Sequence, residues 1–167
     1  AQGMAAVRQS RPEDADRLLA ALRPLAADPA MEQLTVWDRY PLAHAARIAE
    51  RMLTAEIAAA GGNYEASVAA LREAAAIEDG IPYDEPPGWH APVRHSLGAV
   101  LLQAGRAAEA EQVYREDLRR NPDNGWSLFG LAQSLDAQGR AAEAETARSS
   151  FSAAWGNADI ELAASRL

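Results

Sequence analysis

His90 and His95, with Asp84 and Glu85 a few residues upstream, are the side chains here that come nearest to a metal site, because imidazole and carboxylate together suit borderline cations. The spacing argues against it. Residues five apart on a helix diverge by about 140°, whereas a ligand pair needs i, i+4, and nothing supplies a second anchoring pair. Ser96 beside His95 is adjacency and not a triad, since Ser and His coexist in most proteins. A Gly-rich phosphate loop, a nucleophile elbow and an HExxH helix are all missing from the sequence. The chain therefore reads as no enzyme, with no metal and no cofactor implied.

Aromatic residues offer binding chemistry instead. Trp126 and Phe129, three apart on one helix, have the residue types that anchor apolar peptides, and core packing is their rival use. Gly80 to His90 holds four glycines and prolines within its first eight positions, so it is expected to be a loop. Tyr83, Trp89 and His90 make it a candidate lid, and a plain surface loop pinned by Trp89 is the other reading. Carboxylates at Glu109, Glu111, Glu143 and Glu145 follow turns, where solvated faces and dipole complementarity explain them. Arg106, Arg115, Arg119, Arg120 and Arg140 could form a basic patch. Glu111 precedes Arg115, and Glu116 precedes Arg120, by the four residues that support an exposed helix by ~0.3 kcal/mol a pair, which accounts for these charges without one.

Composition narrows the partners. The 24 acidic residues outnumber 16 basic ones, for a formal charge of -8, opposite to the field a nucleic-acid backbone attracts. With no Cys, disulfides and thiolate chemistry are excluded, and the redox state of the compartment leaves no mark. No apolar run approaches the ~20 residues of a membrane span. Ala1-Gln2-Gly3-Met4 lacks a charged start followed by an apolar stretch, and Ala1 to Gly3 read as a remnant of expression, so an upstream signal peptide or further repeats are left open. Location is left open, with the cytoplasm favoured and the periplasm the alternative if such a signal was removed.

All of this has to sit on helices, because no segment alternates with the two-residue period of a strand. Residues 1–10 are expected to be disordered or expression-derived, and 11–40 to form N-terminal helices. Ser10 would cap the first, which would run to about Ala26. Pro24 would kink or stop it, Asp28-Pro29 would restart a short helix through Leu34 to Trp37, and Asp38 would cap a new start at Pro41. Leu42 to Ala60 carries a wide apolar stripe ended by Gly61-Gly62-Asn63, and Tyr64 to Glu78 returns. Further helices are expected near Ala91 to Gln103, Ala107 to Arg119, Asn124 to Gln138 and Ala141 to Trp155. Residues 158–167 would form a cap or a truncated helix.

A repeat organises these helices. Leu97, Gly105, Arg106, Ala108, Glu109, Ala110 and Glu111 recur 34 residues later as Leu131, Gly139, Arg140, Ala142, Glu143, Ala144 and Glu145. Gly62 precedes Gly105 by 43, and the loop over 80–90 absorbs the nine extra residues. Leu97-Gly98, Leu101, Gly105, Ala110, Tyr114 and Pro122, then Leu131-Ala132, Leu135, Gly139, Ala144 and Phe151, resemble the tetratricopeptide repeat pattern. Tyr83 to Trp89, with Pro92-Val93-Arg94 and Leu97-Gly98-Ala99, is similar to the C-terminal part of long bacterial tetratricopeptide proteins of unassigned function.

The resemblance implies an all-α, α-α superhelix of antiparallel helix pairs, with three pairs over 41–157 and the first helix of each lining a concave face. It would place Met52 and Glu56, then His95, Ala99 and Gln103, then Trp126, Phe129, Gln133 and Asp136 on that wall. The family's carboxylate clamp needs Lys, Arg and Asn at such positions and is disfavoured. The expected function is a protein-interaction scaffold that holds an unidentified peptide or helix in its groove. Homo-oligomerisation through the stack ends is the alternative, and a small-ligand or metal module built on the Pro-rich loop and His90/His95 is the second.

Overall fold

Gln2–Arg8 form the first helix, α1, although residues 1–10 were expected to be disordered or expression-derived. Packing is the reason: Gly3 lies so close to Leu53 that a Cβ on it would meet the leucine Cδ2 at 2.5 Å, and Ala6 is buried. The computed structural model describes residues 1–166. It divides into two units, residues 1–93 and residues 94 onward.

In the first unit, α1 turns into α2 (Pro12–Ala27). Ser10 does not cap this helix. It takes the left-handed conformation (φ 55°), while the amide of Arg11 bonds back to Ala6 O and that of Ser10 to Val7 O, the pairing of a Schellman turn. Pro24 lies inside α2 without ending it. Asp28 Oδ1 accepts from the amide of Ala30, the first residue of the short α3 (Ala30–Gln33), at 2.8 Å. The expected continuation of that helix to Trp37 is replaced by a hairpin. Strand β1 (Thr35–Val36) pairs antiparallel with β2 (Tyr40–Pro41), and Trp37 and Asp38 both take left-handed φ in the turn. Asp38 accordingly caps no helix but accepts from the Thr35 hydroxyl at 3.0 Å.

Helix α4 (Leu42–Ala60) and α5 (Tyr64–Asp79) pack as an antiparallel pair, with Ile48, Leu53, Val68, Leu71 and Ala74 buried. Asn63 caps α5 through the amide of Ala66. Residues 80–92 have no regular structure, as expected for the loop.

The second unit holds α6 (Val93–Gln103, its first residue closing the first unit), α7 (Ala107–Arg120), α8 (Gly125–Ala137) and α9 (Ala141–Trp155). Gly62, Gly105 and Gly139 occupy equivalent turns with φ of 76°, 74° and 74°. In each, the glycine amide reaches back three residues and the next amide five: Arg106 to Leu101, Arg140 to Leu135, Asn63 to Ala58. A side chain in that left-handed conformation would be strained, so glycine recurs. Leu97 and Leu131, Leu101 and Leu135, and Ala110 and Ala144 are all buried, so positions 34 apart do the same work. The match fails at Tyr114, whose counterpart is the half-buried Arg148; Phe151 does not replace the tyrosine but packs at a tilt against Phe129. The fold is thus all-α, built from antiparallel helix pairs of the tetratricopeptide kind.

Candidate functional site

The ring of Tyr114, rooted on α7, passes between α6 and α8 where Gly98 and Gly130 face it. A Cβ at either glycine would lie 2.2 Å from the ring's Cζ. Only hydrogen at those two positions leaves the slot open. The tip of the phenol thus lies between the two glycines, and the side chain is fully buried. Burial pushes its pKa above the usual 10.0, although the Ser165 hydroxyl bound to it pulls the other way, so it remains protonated and able to donate.

His95, expected on the open wall, is buried. Its ring stacks on Trp126 with centroids 6.3 Å apart, and its Nε2 lies 3.4 Å from Asp117 Oδ2. Asp117 is itself buried on α7 and accepts from Ser127 Oγ at 2.5 Å and from Asn121 Nδ2 at 2.9 Å. Burial alone would raise this carboxyl, but the nearby His95 imidazole and the hydrogen bonds from Ser127 and Asn121 prevail and hold it below its ordinary 3.8. The arrangement ties α6, α7 and α8 together. It is not a nucleophile site, because both the serine and the histidine are turned toward the carboxylate and not toward each other.

Trp126 and Phe129 are half-buried and pack on α9: Trp126 meets Trp155 edge-on at 5.5 Å, and Phe129 meets Phe151 at 5.4 Å. Both therefore serve packing. Gln103, Gln133 and Asp136 are exposed, with Asp136 bound to Arg148 of α9 at 2.5 Å. In the first unit Met52 is half-buried and Glu56 buried, so the Glu56 carboxylate is not presented to solvent. An apolar cleft of about 470 Å³ also opens there, between Val7 and Pro12 on one side and Ile57 and Ala60 on the other.

The loop is held by the hairpin. Arg39 Nη2 donates to Tyr83 O at 2.9 Å, its Nε lies 3.2 Å from Asp84 Oδ2, and Gly88 sits directly against Tyr40. Tyr83 is 80% exposed and its hydroxyl bonds to Glu85. Trp89 is half-buried with its ring 4.8 Å from that of the exposed His90. Among the described residues, no group of three or more His, Cys, Asp or Glu side chains could hold a metal ion, and no helix is long and apolar enough to cross a membrane.

Two features escaped the sequence. Glu111, expected on a solvated face, is buried under Arg115 at 2.8 Å, Arg140 at 2.5 Å and Gln138 at 2.9 Å. With Arg106 on Glu109 and Arg140 also on Glu143, these arginines form no open basic patch; Glu116 reaches Arg94 at 3.3 Å. The second feature is residues 158–166, which form no helix, contrary to the expected cap or truncated helix (Leu167 lies outside the described residues). Trp155 Nε1 donates to Ile160 O at 3.0 Å. Farther along, Ser165 is 1% exposed, bound to Tyr114 at 2.5 Å and to the His95 carbonyl at 3.0 Å, while Arg166 Nη2 donates to Gln103 Oε1 at 3.2 Å.

Stacked antiparallel helix pairs with small residues at their crossings define a helical-repeat protein. The family model for the tetratricopeptide repeat matches residues 101–147. Over those residues the chain is similar to that family, and its fold is of the same kind. No curated protein matches it. Among solved structures, the crystal structure of MamA protein is similar with a TM-score of 0.60 and 13% sequence identity, over 96% of this chain and 74% of that one. At that identity the likeness shows the fold alone.

Proposed function

We propose that this protein is a non-catalytic interaction scaffold that binds a peptide or helix of a protein partner on the face formed by α6 and α8. The observation that supports the reading is the Tyr114 hydroxyl, held at the gap between Gly98 of α6 and Gly130 of α8, helices that also carry the exposed Gln103 and Gln133. A rigid, protonated phenol among side-chain amides is a preorganised donor set for a backbone or a hydroxyl, and costs little to order on binding. The formal charge of -8 disfavours nucleic acid as that partner.

The test is photo-crosslinking in the source cell with p-benzoylphenylalanine in place of Gln133, an exposed position. Photochemistry is needed because the chain has no Lys for amine-reactive reagents. A discrete adduct at 133, lost when Gln103 is also replaced by Glu, supports the reading; equal capture from a control position on exposed Glu145 sinks it.

A second reading has its own observation. Trp126, Phe129, Phe151 and Trp155 are all half-buried on α8 and α9, an aromatic surface suited to pairing between copies. Light scattering decides it: a monomer at micromolar concentration ends this alternative.

A further inference from the structure

We infer that residues 158–166 are a resident occupant of the α6 and α8 face, and that the partner recognised there is a non-helical segment carrying a small hydroxyl side chain followed by an arginine. The inference rests on the reading of that face as the binding surface. It adds what the surface selects and what must leave before a partner enters.

Proton accounting gives the selectivity. Ser165 Oγ donates to the His95 carbonyl, which as a helix carbonyl has a second lone pair free for it. A hydroxyl has one proton to give, so the 2.5 Å contact with Tyr114 must be donated by the phenol. The pocket therefore asks for one donor and one acceptor on the same small atom. Alanine would leave the phenol proton unanswered in a buried place, and a carboxylate would set its charge against the His95 carbonyl.

The track beside it holds a non-helical chain that bends at 163–165. His95, Ala99 and Gln103 recur every four residues along one side of α6. The segment touches α6 at the His95 carbonyl and at the Gln103 amide oxygen, and Ala99 between them is small and buried. Arg166 follows Ser165 at once, and its guanidinium spans to Gln103. Ser165 meets the Tyr114 hydroxyl at the ring tip that lies between Gly98 of α6 and Gly130 of α8. A segment tethered to the chain sits at an effective concentration in the millimolar range, so it lowers a partner's apparent affinity by the fraction of time the face is vacant.

The probe is a fluorescein-labelled, terminally blocked peptide with the sequence of residues 158–166, titrated by anisotropy into the full chain and into the full-length Ser165→Asp variant. Amide exchange over 160–166 is followed in both. The expected result is protection of those amides in the wild type and free exchange in the variant. The variant should also bind the peptide at least tenfold more tightly than the wild type does, and a peptide with Ala in place of its serine should lose at least tenfold. Should Ser165→Asp unfold, the double variant Ser165→Ala with Arg166→Ala takes its place under the same criteria.

Coil-rate exchange over 160–166 in the wild type overturns the proposal, as does a folded, freely exchanging variant that binds the peptide no better than wild type. Position-133 crosslinking in the Ser165→Asp background separates the two ideas. A partner captured equally in both backgrounds leaves the scaffold reading standing and ends this one. Higher capture in the variant supports both, and no capture in either, with no peptide bound, removes both.

Discussion

The Ser127 hydroxyl of α8 donates to the buried Asp117 carboxylate of α7 at 2.5 Å, on the oxygen that also faces His95 Nε2. The carboxyl is held below its ordinary 3.8 in the fold: burial pushes it up, but the hydrogen bonds outweigh that. A group whose folded value is depressed contributes stability that is complete above its unfolded value and is lost as pH falls through the folded one. Glu111 behaves alike, with burial opposed by Gln138, Arg115 and Arg140. Thermal melts should therefore hold steady from neutral pH down to about 5 and then fall steeply below about 4. Asp117→Asn should cost about 2 kcal/mol at pH 7 and flatten that acid limb, which a pH series of the variant checks.

Ser10 and Gly105 occupy the same hydrogen-bonded turn, one with a side chain and one without. Urea titration should give the two substitutions opposite signs. Gly105→Ala loses about 1 kcal/mol to left-handed strain, and Ser10→Gly gains a few tenths, strain relief exceeding the added freedom of the unfolded chain by about that much.

Gly98→Ala should destabilise by about 1–3 kcal/mol, because its methyl meets the Tyr114 ring. A double-mutant cycle isolates the cause: in a Tyr114→Leu background the same change should cost clearly less. Additive costs would place the strain elsewhere.

Phe129→Glu tests the packing of α8 on α9. Phe129 lies against Phe151, so the variant should lose about 2 kcal/mol and melt earlier by circular dichroism, with helical content kept at low temperature. Unchanged stability would mean that the ring belongs to the open face.

The helix pairs were legible because their signal is local: glycine at the turn, leucine and alanine at fixed offsets. The hairpin at 35–41 was not, since two-residue strands are too short to display a period and Trp37-Asp38 is not the Asn-Gly that announces such a turn. Helix α1 depends on Gly3 meeting Leu53, a contact 50 residues away in sequence. His95 carries the spacing of a groove residue, yet Asp117 and Trp126, both distant in sequence, draw it inside. Ser165 had no local mark whatever. Its importance comes from Tyr114, 51 residues earlier, and that pairing exists only once α6, α7 and α8 have come together.

The tight glycine turns also fix an order of events. Each joins helices that are neighbours in sequence, so a pair closes with little loss of chain entropy, and topologies rich in such local contacts fold within microseconds to milliseconds. Any pair can start, and its neighbours add to it. The contact of Ser165 with His95 spans 70 residues and needs its receiving slot already built. On every round of folding the slot therefore stands complete and vacant for an interval before its own chain arrives to fill it.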